Sequence, residues 1–173
     1  MTRFLLLCFF ATTICIAEDK RTLIANDKIS LIVPEGWIKS ERNLNTTLAG
    51  WESPDQKASF FFQPLSSDVG LSMTELMDLT VDQFENNEGL VFEKIDKYKT
   101  GQVKGVDKSF PAIYTTMDMT FPTSHKDIKL KYYLLIFDVG PLQYFMQASI
   151  NKPVWDVREK QILSMIQSIV TRK

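Results

Sequence analysis

The chain has one histidine and two cysteines in 173 residues, and both scarcities exclude chemistry. With His125 as the single imidazole, sites that gather several histidines around a metal are out of reach. Cys8 and Cys15 both lie in the N-terminal apolar stretch. A chain that sheds this stretch has no disulfide and no thiol nucleophile. Net charge is also small: 20 basic and 21 acidic residues leave −1. That balance argues against a general nucleic-acid surface, which needs a strongly basic face. Seven glycines and seven prolines make no repeat or low-complexity segment. P-loop, G-x-G-x-x-G, HExxH, CxxC and G-x-S-x-G patterns are all missing. What remains, 45% hydrophobic and 24% charged, has the balance of one ordinary globular domain.

The first seventeen residues read as a leader. Arg3 precedes an apolar run from Phe4 to Ile16, which falls short of the roughly 20 residues a membrane span needs. Cys15-Ile16-Ala17 ends it with small residues at the two positions a signal peptidase reads. The expected division is a signal peptide over 1–17, cut after Ala17, and a single domain over 18–173 with no membrane span. Ile14, a large residue before Cys15, departs from a lipoprotein signal. The product is expected in the periplasm or outside the cell. Asn45-Thr46-Thr47 is a glycosylation sequon, relevant only in a eukaryotic secretory route.

Periodicity orders the rest. Ile29–Val33, Thr46–Glu52 and Ala58–Gln63 read as strands, with a turn at Pro34-Glu35-Gly36 and an extended restart at Trp37. Phe60-Phe61-Phe62 is apolar on both faces, as in a strand covered on both sides. Ser72 and Glu75 have capping-box spacing and open a helix running to about Asn87, closed by Gly89. Its apolar face holds Met77, Val81 and Phe84. Leu90–Lys99 reads as a polar edge strand, and Gly101 and Gly105 as the brackets of a turn. A long strand through Ile113–Phe121, the Pro122–Asp127 loop and a hairpin of Ile128–Phe137 with Leu142–Ile150 follow. The spacing then predicts a helix over 153–171, burying Ile162, Met165 and Ile169. Ser66–Gly70 reads as a loop. The order defines an α+β fold, a mainly antiparallel β-sheet sandwiched by helices in a single domain.

Each reactive candidate has a plainer reading. His125 sits in a polar loop, and adjacent Ser124 does not make a triad. Met117 and Met119, with Met146, suggest a soft copper site, but period-two spacing assigns the first two to the core. Glu75, Asp78, Asp82 and Glu85 form an acidic helix stripe that cannot wrap an ion alone. Lys126, Lys129 and Lys131 are too few for a nucleic-acid footprint. No catalytic, cofactor or metal residue is assigned. Aromatic strand residues remain, and Trp51, Phe61 and Tyr133 are the candidate partner or ligand contacts.

Ile29-Ser30-Leu31-Ile32-Val33-Pro34-Glu35-Gly36-Trp37 resembles the opening strand and P-x-G-W turn of the PsbP/Mog-like superfamily, including DcrB-like bacterial envelope proteins. The capped helix, Gly105 with Pro111-Ala112, the long hairpin and the Ser168-Ile169 helix end continue the resemblance over nearly the whole mature chain. The resemblance implies an antiparallel sheet between helices. It also implies action by binding: photosystem assembly, a small GTPase, envelope roles or effector chaperoning. Metal-linked histidines of plant members do not carry over, since His125 stands alone. The expectation is an exported, non-enzymatic binding or accessory protein with a protein partner and no cofactor. The alternatives are a carrier with an apolar pocket for a small molecule or lipid, and a hydrolase using paired carboxylates.

Overall fold

The computed structural model describes residues 21–25, 28–41, 49–65, 70–139 and 142–171. The leader with Cys8 and Cys15, the Asn45 sequon, Ser66–Asp68 with Val69 and the Gly140-Pro141 connection lie outside the described residues. The elements are β1 (Arg21–Ile24), β2 (Ile29–Ile32), β3 (Ile38–Lys39), β4 (Ala49–Glu52), β5 (Ala58–Leu65), α1 (Met73–Glu85), β6 (Val91–Ile95), β7 (Lys99–Gly105), β8 (Phe110–Phe121), β9 (Ile128–Val139), β10 (Leu142–Asn151), α2 (Trp155–Gln167) and β11 (Val170–Thr171). A 3₁₀ turn at Lys152–Val154, with Pro153 in it, leads into α2.

The strands form one sheet in the order β1-β2-β11-β7-β8-β9-β10-β5-β4-β3, with β6 also paired to β8. Alternation on the central strands divides the apolar side chains between two cores. Leu134 and Ile136 of β9 join Ile113, Met117 and Met119 of β8 beneath α1, which contributes Met77 and Val81. Tyr133, Leu135 and Phe137 point the other way, with Phe60, Phe62 and Met146, against Ile162 and Met165 of α2. Helices therefore cover both faces. Met146 is separated from Met117 and Met119 by the sheet, so the three do not form a thioether site.

The local signals for α1 hold. Ser72 accepts from the backbone N–H of Glu75, and the Glu75 carboxylate accepts from that of Ser72. The helix ends at Asn86 rather than through Gly89, whose N–H instead donates to the Asn87 side chain at 2.9 Å.

Three expectations are corrected. The strand expected over Leu90–Lys99 is two strands, β6 and β7, laid end to end along β8. Asp96 marks the break: its N–H donates to Thr116 O at 2.9 Å and its carbonyl accepts from Thr115 Oγ1 at 2.7 Å. Gly101 and Gly105 lie within β7, not around a turn. Gly105 is small because its neighbours approach closely: a Cβ there would stand 2.0 Å from Lys108 O, whereas one on Gly101 would only touch the Tyr114 ring at 3.4 Å. Finally, the last helix stops at Gln167. The chain re-enters the sheet as β11, parallel to β7 and antiparallel to β2, so the sheet is mixed. Crossing over a helix is what makes a parallel neighbour possible. Ser168 makes this exit: its hydroxyl accepts from Ile32 N and donates to Met165 O, each at 2.8 Å.

Candidate functional site

Two small residues set the floor of a groove. Gly101 of β7 pairs directly with Ala112 of β8. The resulting cavity, about 470 Å³, is walled by Tyr114 on the sheet side and by Leu163 and Ile166 on α2. Tyr114 is 38% exposed and Leu163 37%, so apolar surface faces solvent on both walls. Lys99 Nζ lies 6.0 Å from the centre of the Tyr114 ring.

Tyr133 lines the same groove and joins it to α2. Its ring stacks on Trp155, with centroids 5.8 Å apart and planes 13° from parallel. Its hydroxyl donates to Glu159 Oε1 at 2.5 Å. Burial, and then this bond to a carboxylate, push the Tyr133 hydroxyl well above its ordinary value of 10.0. It therefore stays protonated, as a fixed donor rather than a base. Lys131 Nζ also stands over the indole of Trp155, 4.4 Å from its centre.

Beyond Trp155 the face becomes polar. A recess of about 450 Å³ is bordered by Asp118, Lys131, Lys152 and Trp155. Lys152 Nζ is 3.7 Å from Asp118 and from Glu93, and Lys94 Nζ is 2.8 Å from Asp96. Thr116 donates to the Asp96 carboxylate and Thr120 to that of Glu93. The Lys94 ammonium and the Thr116 hydroxyl hold Asp96 down at about 2. The Thr120 hydroxyl lowers Glu93. A general acid needs a carboxyl raised toward neutral pH. Asp96 and Glu93 are displaced the opposite way, so neither supports the paired-carboxylate reading.

The three candidate aromatics do not share one surface. Trp51 is buried against Phe60, with ring centroids 6.3 Å apart. Phe61 is buried over Gly50, where a Cβ would stand 2.4 Å from its Cδ1. Tyr133 alone of the three lines the groove. Sequence reasoning missed Gly101, Tyr114 and Leu163. A glycine inside a strand, opposite alanine and next to an outward tyrosine, was the available signal.

The other candidates separate. His125 is exposed in the Pro122–Asp127 loop. Glu75 leaves the acidic stripe for the capping box, while Asp78, Asp82 and Glu85 stand near Tyr98. Burial first, and then the bond with Asp78, raise the Tyr98 hydroxyl above its ordinary range. Among the described residues no His, Cys, Asp and Glu cluster has a metal-binding arrangement, and no helix is long and apolar enough to cross a membrane.

This arrangement of a curled mixed sheet and two helices is the PsbP/Mog-like fold. The chain is similar to cyanobacterial PsbP (CyanoP) from Synechocystis sp. PCC 6803, with a TM-score of 0.61 and 10% identity over 88% of this chain and 92% of that one. It is also similar to LpqN of Mycobacterium tuberculosis, described as involved in cell envelope biogenesis (TM-score 0.56, 11% identity, 83% of each chain). The Saccharomyces cerevisiae Ran-binding protein Mog1p aligns with a TM-score of 0.51 and 10% identity over 87% of this chain and 93% of that one. No family model and no curated protein matches the sequence.

Proposed function

We propose that this chain is an exported, non-enzymatic binding protein that holds a protein partner in the groove between α2 and strands β7–β9. The groove itself carries the reading: an open apolar cleft whose walls, Tyr114 and Leu163, are exposed and whose floor is kept low by Gly101 and Ala112. Aromatic side chains beside such clefts are common anchors in interfaces. The leader pattern over 1–17 supports export, and the envelope role stated for LpqN and the Ran-binding role stated for Mog1p show the same fold serving binding and envelope work. Tyr133 is the contact among the three aromatic candidates; Trp51 packs in the core on the same side of the sheet, and Phe61 packs on the other side.

The carrier reading stands second because the cavity lies within the roughly 300–1,000 Å³ typical of ligand pockets. One experiment separates the two. Tagged chain starting at Glu18 is used to capture proteins from an envelope extract, beside the Gly101→Val and Leu163→Arg variants. Gly101→Val raises strand propensity while filling the groove. A partner that saturates the wild type and is lost from both variants supports the reading. A partner retained by both removes the groove from it. A small apolar molecule found on the purified chain by native mass spectrometry, with no protein partner, selects the carrier.

A further inference from the structure

Strand β7 has a main-chain edge that the sheet leaves open. Lys99–Val103 pair with Phe110–Tyr114 of β8 on one side. On the other side the partner is β11, which reaches only Lys104 and Gly105. Among the described residues, Lys99–Val103 therefore has no strand on that side. An unpaired edge is a template for another strand. Edges are commonly blunted by bulges, and β6 has one between Phe92 and Lys94. The register of β7 on β8 runs without interruption from Lys99 to Val103.

The apolar groove opens along the same edge. Gly101, Gln102 and Val103 border it from β7, and Leu163 and Ile166 face them from α2. An added strand would direct every second side chain toward this cleft, because strand side chains alternate with period two. Lysines stand on both faces of this edge. Lys99 is on the groove face beside Tyr114, Lys104 is on the opposite, exposed face, and neither forms an ion pair among the described residues. Opposite charges across a strand pair are favourable, so an acidic strand suits this edge.

We infer that β7 and the groove accept an extended acidic peptide from the partner, added as a strand. Its main chain bonds to Lys99–Val103, its apolar side chains enter the groove, and its carboxylates meet Lys104 on the far face and Lys99 at the end of the groove. Strand addition of this kind draws affinity from main-chain bonds and selectivity from pockets for alternate side chains. The inference rests on the groove being the binding surface, and it adds the chemistry of what the groove holds.

The test uses a displayed library of random octapeptides panned against the full chain. Enriched sequences are then made as free peptides and as versions N-methylated at alternate residues. The expected enrichment is β-branched or aromatic residues alternating with Asp or Glu. N-methylation in one of the two alternating registers should weaken binding by about tenfold or more, since it removes the donors that pair with β7. The Lys99→Glu/Lys104→Glu variant, altered at two exposed or partly exposed edge positions, should lose a comparable factor for acidic peptides. Enrichment of basic or proline-rich peptides, no enrichment, or equal binding of both N-methylated registers overturns the inference. So does recovery of an acyl lipid from the groove by native mass spectrometry. The N-methylation arm uses the unaltered chain, so it decides even where a variant folds poorly. If envelope capture stays groove-dependent while the peptide arms fail, the strand inference falls and the binding reading stands. If capture ignores the groove, the binding reading falls as well.

Discussion

The indole N–H of Trp37 donates to Gln161 Oε1 at 3.3 Å, tying the turn after β2 to α2. The same oxygen accepts from Arg158 Nη1 at 2.8 Å, and Arg158 Nη2 lies 3.1 Å from Asp55. Asp55 in turn accepts from Ser53 at 2.6 Å. Thus the turn Pro34-Glu35-Gly36-Trp37 and the turn before β5 both grip the helix that walls the groove. Gly36 has φ of 80°, which the third position of this turn requires, and Trp37 N closes it on Pro34 O at 3.2 Å.

Trp37→Phe retains most of the buried ring and removes the donor. The expected loss is about 0.5–1.5 kcal/mol in urea unfolding, the worth of one hydrogen bond. Trp37→Ala also opens a cavity and should cost about 3–5 kcal/mol. Equal losses for the two would show that the indole N–H contributes nothing.

Acid should weaken the fold through two carboxylates. The Ser53 hydroxyl, and then Arg158, hold Asp55 at about 2, against an ordinary value of 3.8. Lys94 and Thr116 hold Asp96 at about 2 as well. A carboxyl whose folded pKa is depressed stabilises the fold above its unfolded value and loses that contribution as pH falls. The window is therefore from 3.8 down through about 2. Thermal unfolding followed across it should show Tm falling with acid, and falling less for Asp55→Asn. A wild type and Asp55→Asn with parallel pH profiles would contradict the assignment.

Gly50 lies under the Phe61 ring, and an added Cβ would stand 2.4 Å from Phe61 Cδ1 and 2.6 Å from Cε1. Gly50→Ala should destabilise by about 1–3 kcal/mol, as overpacking does. In a Phe61→Val background the same substitution should cost much less. A double-mutant cycle in denaturant measures the coupling, and additive costs would mean that the ring is not what excludes the methyl group.

Ser72→Ala removes the acceptor for Glu75 N and should cost about 0.5–2 kcal/mol. Circular dichroism during denaturation reads this loss directly.

Where one local interaction decides an element, the sequence was legible. The Ser72–Glu75 box begins α1, and the alternation through Ile113, Met117 and Met119 places β8 correctly under it. The doubly apolar triplet Phe60-Phe61-Phe62 foretold cover on both faces. The failures fall where tertiary contacts outweigh local pattern. Gly101 and Gly105 look like turn residues, yet both are strand positions, and Gly105 is crowded by Lys108 and Phe110. Val170-Thr171 continues a helical pattern, yet Ser168 ends the helix through its bond with Ile32, far away in sequence. β1 was hidden by the charged string around Arg21, whose guanidinium donates to Ser168 O at 2.8 Å. The groove was least visible, because it depends on α2 lying across β7–β9. That relation brings Gly101 and Leu163 together without any motif in either segment.

Site-specific photo-crosslinking in the cell that produces the chain tests the central claim most directly. A photoreactive residue is placed at Leu163 on the groove wall, and separately at Leu79 on α1, which is 50% exposed on the opposite side of the sheet. The account predicts a discrete protein adduct from position 163 and none from position 79. An adduct from position 79 alone would contradict it and place the binding surface on α1.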